Sequence, residues 1–297
     1  MATETGVWDL QEVRDKQLES EWKYDGFEAG YLYSWGENER GELGLNQGGN
    51  PGGLTGKSSP TQVGSNNTWS DISGGGIEMN NGFSWKGDGT LWAWGDNQYG
   101  QLGLNDSTTI SSPTQLPGNW AQRTDADEFI DRENKILNRW WTLGIKTDGT
   151  LWAWGYNGAG YLGLNQGPGV ELSSPTQVGT DTTWTHVMAG RDMGSFGIKT
   201  DGTLWVWGNN QYGRSGTNEE TLRVSSPVQI PGTTWRSTRQ GTGQHPLCTK
   251  TDGTLWLWGS NAAGQLGLNS TTPSNYSSPT QVPGTTWRSV TDRKSVV

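Results

Sequence analysis

The stretch KTDGTLWAWG, Lys146–Gly155, decides the fold, because the chain repeats it with few changes. Further copies lie at Lys86–Gly95, Lys199–Gly208 and Lys250–Gly259, and Tyr31–Gly36 keeps only the second half. The Trp-Gly pairs begin at residues 35, 94, 154, 207 and 258, so they are roughly 50 to 60 residues apart. A repeat of this length that carries strand signals is typical of one blade of a β-propeller.

Each copy predicts a β-hairpin. Asp-Gly between two apolar runs favours a type I′ turn, which needs a positive φ at both central residues. The apolar runs are, for example, Phe196–Lys199 before the turn and Leu204–Trp207 after it. The second run is apolar on both faces of the strand, so we expect each sheet to be covered on both sides, as when blades stack around an axis.

Composition and charge exclude several classes of function. Only 30% of the residues are hydrophobic, but 19 tryptophans can supply a core. A net charge of −9 has the wrong sign for nucleic acid or anionic lipid, and no apolar run is long enough to span a membrane. Met1–Thr5 lacks the features of a signal peptide, so we expect a protein made in the cytoplasm. Cys248, the only cysteine, is interpreted as a small buried hydrophobe.

Three further signals follow each tryptophan strand in a fixed order. The first is Trp-Gly-x-Asn-x-x-Gly-x-Leu-Gly, as in Trp94–Gly103. The second is a Ser-Ser-Pro-x-Gln segment, as in Ser173–Val178, and the third is a lone tryptophan such as Trp184. These motifs resemble the repeats of the regulator of chromosome condensation family over residues 31–297, although Arg214–Gly216 departs from the Leu-Gly pattern. The resemblance implies a propeller of four-stranded blades; familiar members have seven.

The two ends of the chain predict how the ring closes. Trp287–Val290 and Lys294–Val297 look like the two strands that are missing before Tyr31. We therefore predict an all-β, five-bladed propeller over 31–297, closed by joining N- and C-terminal strands in one blade.

Residues 1–30 do not fit the repeat, and we predict a short helical arm there. Asp9 with Glu12 reads as a helix start, and a loose apolar stripe follows. The arm either packs on the propeller or attaches it to another protein. The apolar contact candidates in the arm are Trp8, Leu10, Val13, Leu18 and Trp22.

Differences between repeats mark candidate contact loops, because loops on a rigid scaffold carry binding. One repeat has about ten extra residues in Arg123–Lys135, which read either as a solvated loop or as a contact loop. The candidate contact residues in the loops are Tyr99, Asp127, Phe129, Arg132, Tyr212 and Asn261. The asparagines of the Asn-x-x-Gly units, Asn261 among them, are also expected to bond their own backbone as turn residues.

No catalytic or metal-binding constellation can be assembled, because His186 and His245 fall in different repeats. We expect no enzyme activity, cofactor or metal. The first hypothesis is a structural or adhesion module, such as an appendage or decoration protein of a bacteriophage. Its arm would bind other structural proteins of the virion, and its propeller would recognise a protein or host surface. The alternatives are a lectin-like propeller that binds cell-surface glycan and an exchange-factor or chromatin-type interaction propeller. No nucleic-acid binding or membrane insertion is expected.

Overall fold

The chain folds into β-sheets throughout the part that the computed structural model describes, which is residues 29–47, 56–73, 80–122, 136–138, 140–190, 194–219, 221–240 and 245–287. These residues form 18 strands and a single short 3-10 turn at Gln211–Gly213, and they contain no α-helix. The all-β prediction is confirmed. The predicted helix in the arm, from Leu10 to about Trp22, lies outside the described residues.

The strands form five antiparallel sheets in chain order. Sheet 1 contains β1 (Tyr33–Gly36) and β2 (Lys57–Gln62), and sheet 2 contains β3 (Trp69–Ser73), β4 (Asn81–Lys86), β5 (Leu91–Gly95) and β6 (Ile110–Leu116). Sheet 3 contains β7 (Ile136–Asn138), β8 (Trp141–Ile145), β9 (Leu151–Gly155) and β10 (Leu172–Gln177). Sheet 4 contains β11 (Trp184–Gly190), β12 (Gly194–Lys199), β13 (Leu204–Asn209) and β14 (Arg223–Ile230). Sheet 5 contains β15 (Trp235–Gln240), β16 (Pro246–Lys250), β17 (Leu255–Ser260) and β18 (Asn275–Val282). Sheets 2 to 5 are four-stranded meanders, as expected of propeller blades.

The predicted hairpins are present, but their turns are not type I′. Gly89 adopts a φ of +82°, whereas Asp88 is not among the residues with positive φ. The Gly89 N–H donates to the Lys86 carbonyl at 2.9 Å, and the Lys86 N–H donates to the Thr90 carbonyl at 2.9 Å. This is a longer loop whose last residue is a left-handed glycine. The Asp88 carboxylate accepts the Thr90 N–H at 3.0 Å, and this local bond favours the observed turn.

The core lies between sheets, as the two-sided apolar pattern predicts. Among the described residues, four of the five hydrophobic clusters take residues from two neighbouring sheets: 1 with 2, 2 with 3, 3 with 4, and 4 with 5. The fifth cluster lies in sheet 5 and the segments next to it. The second tryptophan of each full Leu-Trp-x-Trp-Gly strand is at most 4% exposed: Trp94, Trp154, Trp207 and Trp258. Burial of aromatic rings between stacked sheets therefore compensates for the low hydrophobic content of the chain.

The same contact, which we call a junction, recurs between each of these four pairs of neighbouring sheets. The second tryptophan donates its indole N–H to a backbone carbonyl of the preceding sheet's loop, just before the Leu-Gly pair. The bonds run from Trp94 to Glu42 at 2.8 Å, Trp154 to Gln101 at 2.9 Å, Trp207 to Tyr161 at 2.8 Å, and Trp258 to Arg214 at 2.8 Å. The glycine of each Leu-Gly pair, or of Ser215-Gly216, lies against the same indole. A Cβ on Gly103 would lie 2.8 Å from the Trp154 Nε1, so only glycine fits there.

The predicted closed five-bladed ring is not formed by the described residues, which join sheets 1 to 5 through four junctions only. Most of the predicted closing strands, residues 288–297, lie outside them. Trp287 is placed like its repeat counterparts. Its backbone N–H donates to the Gly253 carbonyl at 2.9 Å, and the backbone N–H of Trp235 donates to the Gly202 carbonyl at 3.0 Å. At the other end, Gly30 and Trp69 exchange backbone bonds of 2.7 and 3.1 Å.

Candidate interaction surface

The sheets have two edges, which differ in chemistry. The turn edge carries the four Asp-Gly turns at Asp88, Asp148, Asp201 and Asp252. The connection edge lies at the opposite ends of the strands. There the third strand of each four-stranded sheet, and β1 of sheet 1, ends at Trp-Gly and the variable loops begin. The residues that follow Trp-Gly differ in every sheet: Glu37, Asp96, Tyr156, Asn209 and Ser260.

The turn edge repeats one hydrogen-bonded relay four times. In sheet 3, Thr150 donates its N–H and its hydroxyl to Asp148 at 3.0 and 2.6 Å, and the Trp152 indole donates to the Thr150 hydroxyl at 2.8 Å. The threonine hydroxyl and backbone bonds lower the pKa of each of the four aspartates. Since the same bonds occur in all four turns, we infer that these carboxylates stabilise the turns and are not a binding site.

A lysine at the end of each second strand lies between two tryptophans. The Lys86 ammonium is 3.5 Å from the Trp92 ring centroid and 5.0 Å from that of Trp69. Lys146, Lys199 and Lys250 take equivalent positions in the next sheets. Burial lowers the pKa of Lys86, and the charge of Asp88 partly opposes this. These cation–π contacts stabilise the turn edge, and each ammonium group is held against tryptophan rings.

The repeated asparagines are buried parts of the loops. The Asn261 side chain is 0% exposed, accepts the Leu266 N–H at 3.3 Å and donates to the Ser270 carbonyl at 2.9 Å. Asn97 makes the same kinds of bond with Leu102 and Asp106. The expectation that these asparagines bond their own backbone agrees with this geometry. We therefore assign Asn261 to loop structure rather than to a contact surface.

Tyr99 belongs to a cluster of three accessible aromatic residues on the connection edge. We call Tyr99, Trp140 and Tyr156 the aromatic patch. Ring centroids are 5.1 Å apart for Tyr99 and Tyr156, 6.3 Å for Tyr99 and Trp140, and 5.9 Å for Trp140 and Tyr156. Trp140 is 41% exposed, and the two tyrosines are half-buried. The patch joins a loop of sheet 2 to the edge of sheet 3.

The patch rests on a rigid base. Trp141, next to Trp140, stacks on Tyr161 with centroids 4.0 Å apart and an interplanar angle of 8°. The Trp141 indole donates to the Ser195 hydroxyl at 3.0 Å, and that hydroxyl donates to the Tyr161 carbonyl at 2.8 Å. This network ties sheet 3 to sheet 4, so the rings of the patch are held by the junction beneath them.

The other predicted loop residues are not all brought together. Asp127, Phe129 and Arg132 lie outside the described residues, within the connection between Gln122 and Ile136 that ends four residues before Trp140. Tyr212 is 43% exposed, with the Arg214 guanidinium 5.1 Å from its ring centroid. The five arm candidates, Trp8, Leu10, Val13, Leu18 and Trp22, also lie outside the described residues.

Sequence reasoning missed Trp140 and Tyr156. The signal was a departure from the repeat: the residue after Trp-Gly is a tyrosine only in sheet 3, and Trp140 comes directly before the strand that pairs with it. A polar ion pair adjoins the sheet 2 side of the patch: the Arg40 guanidinium lies 3.3 Å from the Asp96 carboxylate and 3.4 Å from the Gln98 side chain. This pair joins the loop of sheet 1 to the loop of sheet 2 that carries Tyr99.

The two histidines belong to different sheets, and both are buried. His186, on β11, is 6% exposed, and His245, just before β16, is 3% exposed. No three His, Cys, Asp or Glu side chains within the described ranges form a group that could hold a metal ion. Burial raises the pKa of the Cys248 thiol well above its usual range, so a structural role suits it. Of the described segments, none is a helix long and apolar enough to cross a bilayer.

Comparison with known proteins identifies the class. The family described as "Regulator of chromosome condensation (RCC1) repeat" matches residues 29–76, 88–123, 148–194 and 252–294, which is more than half of the chain. The chain therefore belongs to the RCC1 repeat family.

Individual relatives cover this chain in part. It is 27% identical over 207 residues to the ultraviolet-B receptor UVR8 of Arabidopsis thaliana, which covers 66% of this chain and 42% of the receptor. It is 25% identical over 205 residues to the human E3 ubiquitin-protein ligase HERC2, which covers 68% of this chain and 4% of the ligase. The chain therefore spans less than half the length of either relative.

Two solved structures share the fold. Human WBSCR16 superposes with a TM-score of 0.66 at 19% identity, over 87% of this chain and 64% of that one. Prp20p of Saccharomyces cerevisiae gives 0.64 at 19% identity, over 86% and 60%, and its structure is described together with its binding to Gsp1p and histones. These likenesses support an RCC1-like propeller fold.

Proposed function

We propose that this chain is a non-enzymatic protein-interaction propeller whose partner binds the connection edge at the aromatic patch. The observation that carries the proposal is the aromatic patch itself. Trp140, 41% exposed, contacts two accessible tyrosines on a base fixed by Trp141 and Tyr161. Tyrosine and tryptophan held rigidly at a surface are the residue types that dominate protein interfaces.

The uniform turn edge supports this choice of surface. Its aspartates, threonines and tryptophans are hydrogen-bonded to one another in four near-identical copies, whereas the described part of the chain contains one such aromatic patch. A partner that binds the patch would therefore bind this chain in one orientation. Relatives support a protein partner in general terms, since the Prp20p structure is described with its binding to Gsp1p and histones. The net charge of −9 favours a partner with a basic surface over nucleic acid.

The test compares capture of proteins from the source organism by three forms of the full chain. The first is wild type, the second carries Tyr99→Ser and Trp140→Ser, and the third carries Ile72→Ser and Leu222→Ser, which are 53% and 70% exposed. We expect a protein recovered by wild type and by the control to fall by about thirtyfold or more with the patch variant, as loss of an aromatic hot spot would give. Equal recovery by all three forms would remove the patch from the interface.

Glycan binding is the competing hypothesis, because exposed aromatic rings also stack on sugars. A glycan array probed with the same three forms distinguishes the two ideas. Binding that is abolished only by the patch variant would favour a lectin-like propeller. An empty array beside patch-dependent protein capture would support the protein partner.

We further propose that residues 1–30 attach the chain to a larger assembly. In the most specific version of this proposal, the assembly is a virion that displays the propeller. Its support is the non-repeat sequence of the arm. The test compares full-length chain with residues 29–297 for incorporation into the parent particle. The truncation starts at 29 because Gly30 pairs with Trp69. Unchanged incorporation would contradict attachment through the arm.

A further inference from the structure

A groove lies between β6, the last strand of sheet 2, and β10, the last strand of sheet 3, and we call it the β6–β10 groove. Its volume is about 460 Å³, which falls within the roughly 300–1,000 Å³ that is typical of ligand sites. Much of its lining is apolar: Leu104, Ile110, Leu116, Pro117 and Pro175. None of these side chains belongs to the aromatic patch, so the groove is a separate candidate for binding.

The two ends of the β6–β10 groove differ in chemistry. Strand β6 runs from Ile110 at the connection edge to Leu116 at the turn edge, and Pro117 follows it. Asp106 lies in the loop before β6, where its backbone carbonyl accepts the Asn97 side chain at 3.0 Å. The groove therefore has an acidic end at the connection edge and an apolar end at the turn edge.

The acidic end favours a cationic group. The Asp106 carboxylate is exposed, and it accepts the Thr108 N–H at 3.0 Å and the Asn97 side chain at 3.1 Å. Among the described residues that line the groove, Asp106 alone carries a charge. The chain as a whole has a net charge of −9, so the wider field has the same sign. Electrostatic complementarity therefore favours an ammonium or guanidinium group at this end.

The polar side chains of the groove match the groups of a peptide backbone. The Gln115 amide is exposed and makes no hydrogen bond with the described residues, and Asn105 uses only its oxygen, which accepts the Ser174 hydroxyl at 2.7 Å. Each amide can therefore donate to a peptide carbonyl. Pro113 in β6 and Pro175 in β10 lack an N–H and interrupt both strand edges, so a guest chain would be held by side chains rather than as an added strand.

We propose that the β6–β10 groove binds a short extended segment of a partner protein, which carries a lysine or arginine beside aliphatic residues. The cationic side chain pairs with Asp106, and the aliphatic side chains pack on Leu116 and Pro117. The rim residues Asn105 and Gln115 are exposed, so the groove is open along its length, as a segment of a longer chain requires. This site is additional to the aromatic patch and does not depend on it.

Binding of labelled peptides to the full chain tests the proposal. The probe is a fluorescein-labelled peptide with a lysine at one end, an alanine spacer and two leucines at the other end, made in both chain directions. We expect saturable binding by fluorescence anisotropy in at least one direction. Glutamate in place of lysine should weaken it about fivefold or more, and serine in place of both leucines at least about tenfold. Absence of saturable binding in both directions, or equal binding of the lysine and glutamate peptides, would overturn the proposal.

A matched set of variants locates the charge effect. Asp106→Asn keeps an oxygen for the Thr108 and Asn97 bonds, so the fold is retained while binding of the lysine peptide should weaken about two- to fivefold. Gln115→Lys should bind it about fivefold or more weakly than Gln115→Glu. The control pair is Gln177→Lys and Gln177→Glu, at the equivalent position of sheet 3, whose loop has Gln166 in place of Asp106. These two should differ by less than about twofold, and a difference as large as that at Gln115 would contradict the assignment.

Photochemical cross-linking gives an independent location. A diazirine analogue replaces one leucine of the peptide, and mass spectrometry identifies the labelled residues of the wild-type chain. We expect labels at Leu116, Pro117 or Pro175, and labels confined to other surfaces would overturn the proposal. The variant with Tyr99→Ser and Trp140→Ser should bind the peptide like wild type. Loss of peptide binding in that variant would show that the peptide occupies the aromatic patch instead.

Discussion

The turn edge and the connection edge are built on the same strands, but the sequence treats them differently. At the turn edge, Asp148, Thr150 and Trp152 form a relay that recurs in every full hairpin. At the connection edge, the residue after Trp-Gly changes from sheet to sheet, and Tyr156 completes the aromatic patch in one of them. The difference teaches that repetition in this chain specifies stacking of the sheets, and that departures from repetition mark candidate surfaces for recognition.

The largest expected effect separates a stacking tryptophan from a patch tryptophan. Trp154 is 0% exposed and bonds to the Gln101 carbonyl, so Trp154→Ala should lower the free energy of unfolding by about 3–5 kcal/mol. Trp140→Ala, at the partly exposed patch, should lower it by about 1–2 kcal/mol, because the ring contacts Tyr99 and Tyr156 but keeps 41% of its surface in solvent. Urea unfolding followed by circular dichroism measures both. Similar losses would mean that the patch is part of the core.

Part of this comparison was predictable from the sequence. The Leu-Trp-x-Trp strand, apolar on both faces, predicts sheets that are covered on both sides, and the structure confirms it. The turn type was wrong, because the pattern Asp-Gly does not show that Asp88 would bond to Thr90 and leave only Gly89 with positive φ. The junction glycines could not be assigned from local pattern, since their partner indole lies in the next repeat.

The aromatic patch could be predicted only in part. Tyr99 comes from the loop after β5, whereas Trp140 and Tyr156 flank β8 and β9. The β8–β9 hairpin places Tyr156 beside Trp140, whose carbonyl accepts the Tyr156 N–H at 2.8 Å. Tyr99 joins them only because sheet 3 stacks on sheet 2, and the local sequence does not show this. Closure of the ring was predicted from the complementary ends of the chain, but most of the predicted closing strands lie in residues 288–297, outside the described residues.

A matched pair of glycines sharpens the role of the junction. Gly103 and Gly267 both have positive φ, at +74° and +65°, so alanine at either position should cost about 1–3 kcal/mol of backbone strain. Gly103→Ala also places a Cβ 2.8 Å from the Trp154 indole nitrogen, and this overpacking should add about 1–3 kcal/mol. Urea unfolding followed by circular dichroism compares the two variants. Equal losses would show that the close approach is relieved without cost.

A smaller effect is expected from a lysine of the turn edge. The Lys146 ammonium lies 3.5 Å from the Trp152 ring centroid, and Lys146→Met keeps much of the apolar stem while it removes the charge. We expect a loss of about 0.5–1 kcal/mol in the free energy of unfolding. Lys57→Met, on β2 of the two-stranded sheet, is the control. If Lys146→Met is as stable as wild type, the charge of Lys146 contributes nothing and the side chain acts only through packing.

The smallest expected effect is a dependence of stability on pH that belongs to the turn edge. Threonine hydrogen bonds lower the folded-state pKa of Asp88, Asp148, Asp201 and Asp252 below its ordinary value. A carboxyl group with a depressed folded pKa stabilises the fold above its unfolded pKa of about 3.9, and this contribution disappears as the pH falls through the folded value. Because these aspartates are open to solvent, each contribution is small and is best seen for all four together.

The urea concentration at the unfolding midpoint of the wild type should therefore decrease as the pH is lowered below about 4. Replacement of all four aspartates by asparagine should flatten that decline. Glu171→Gln, an exposed carboxylate in a variable loop, is the control and should leave the decline unchanged. A decline as steep in the fourfold variant as in wild type would show that the turns gain nothing from ionised aspartate.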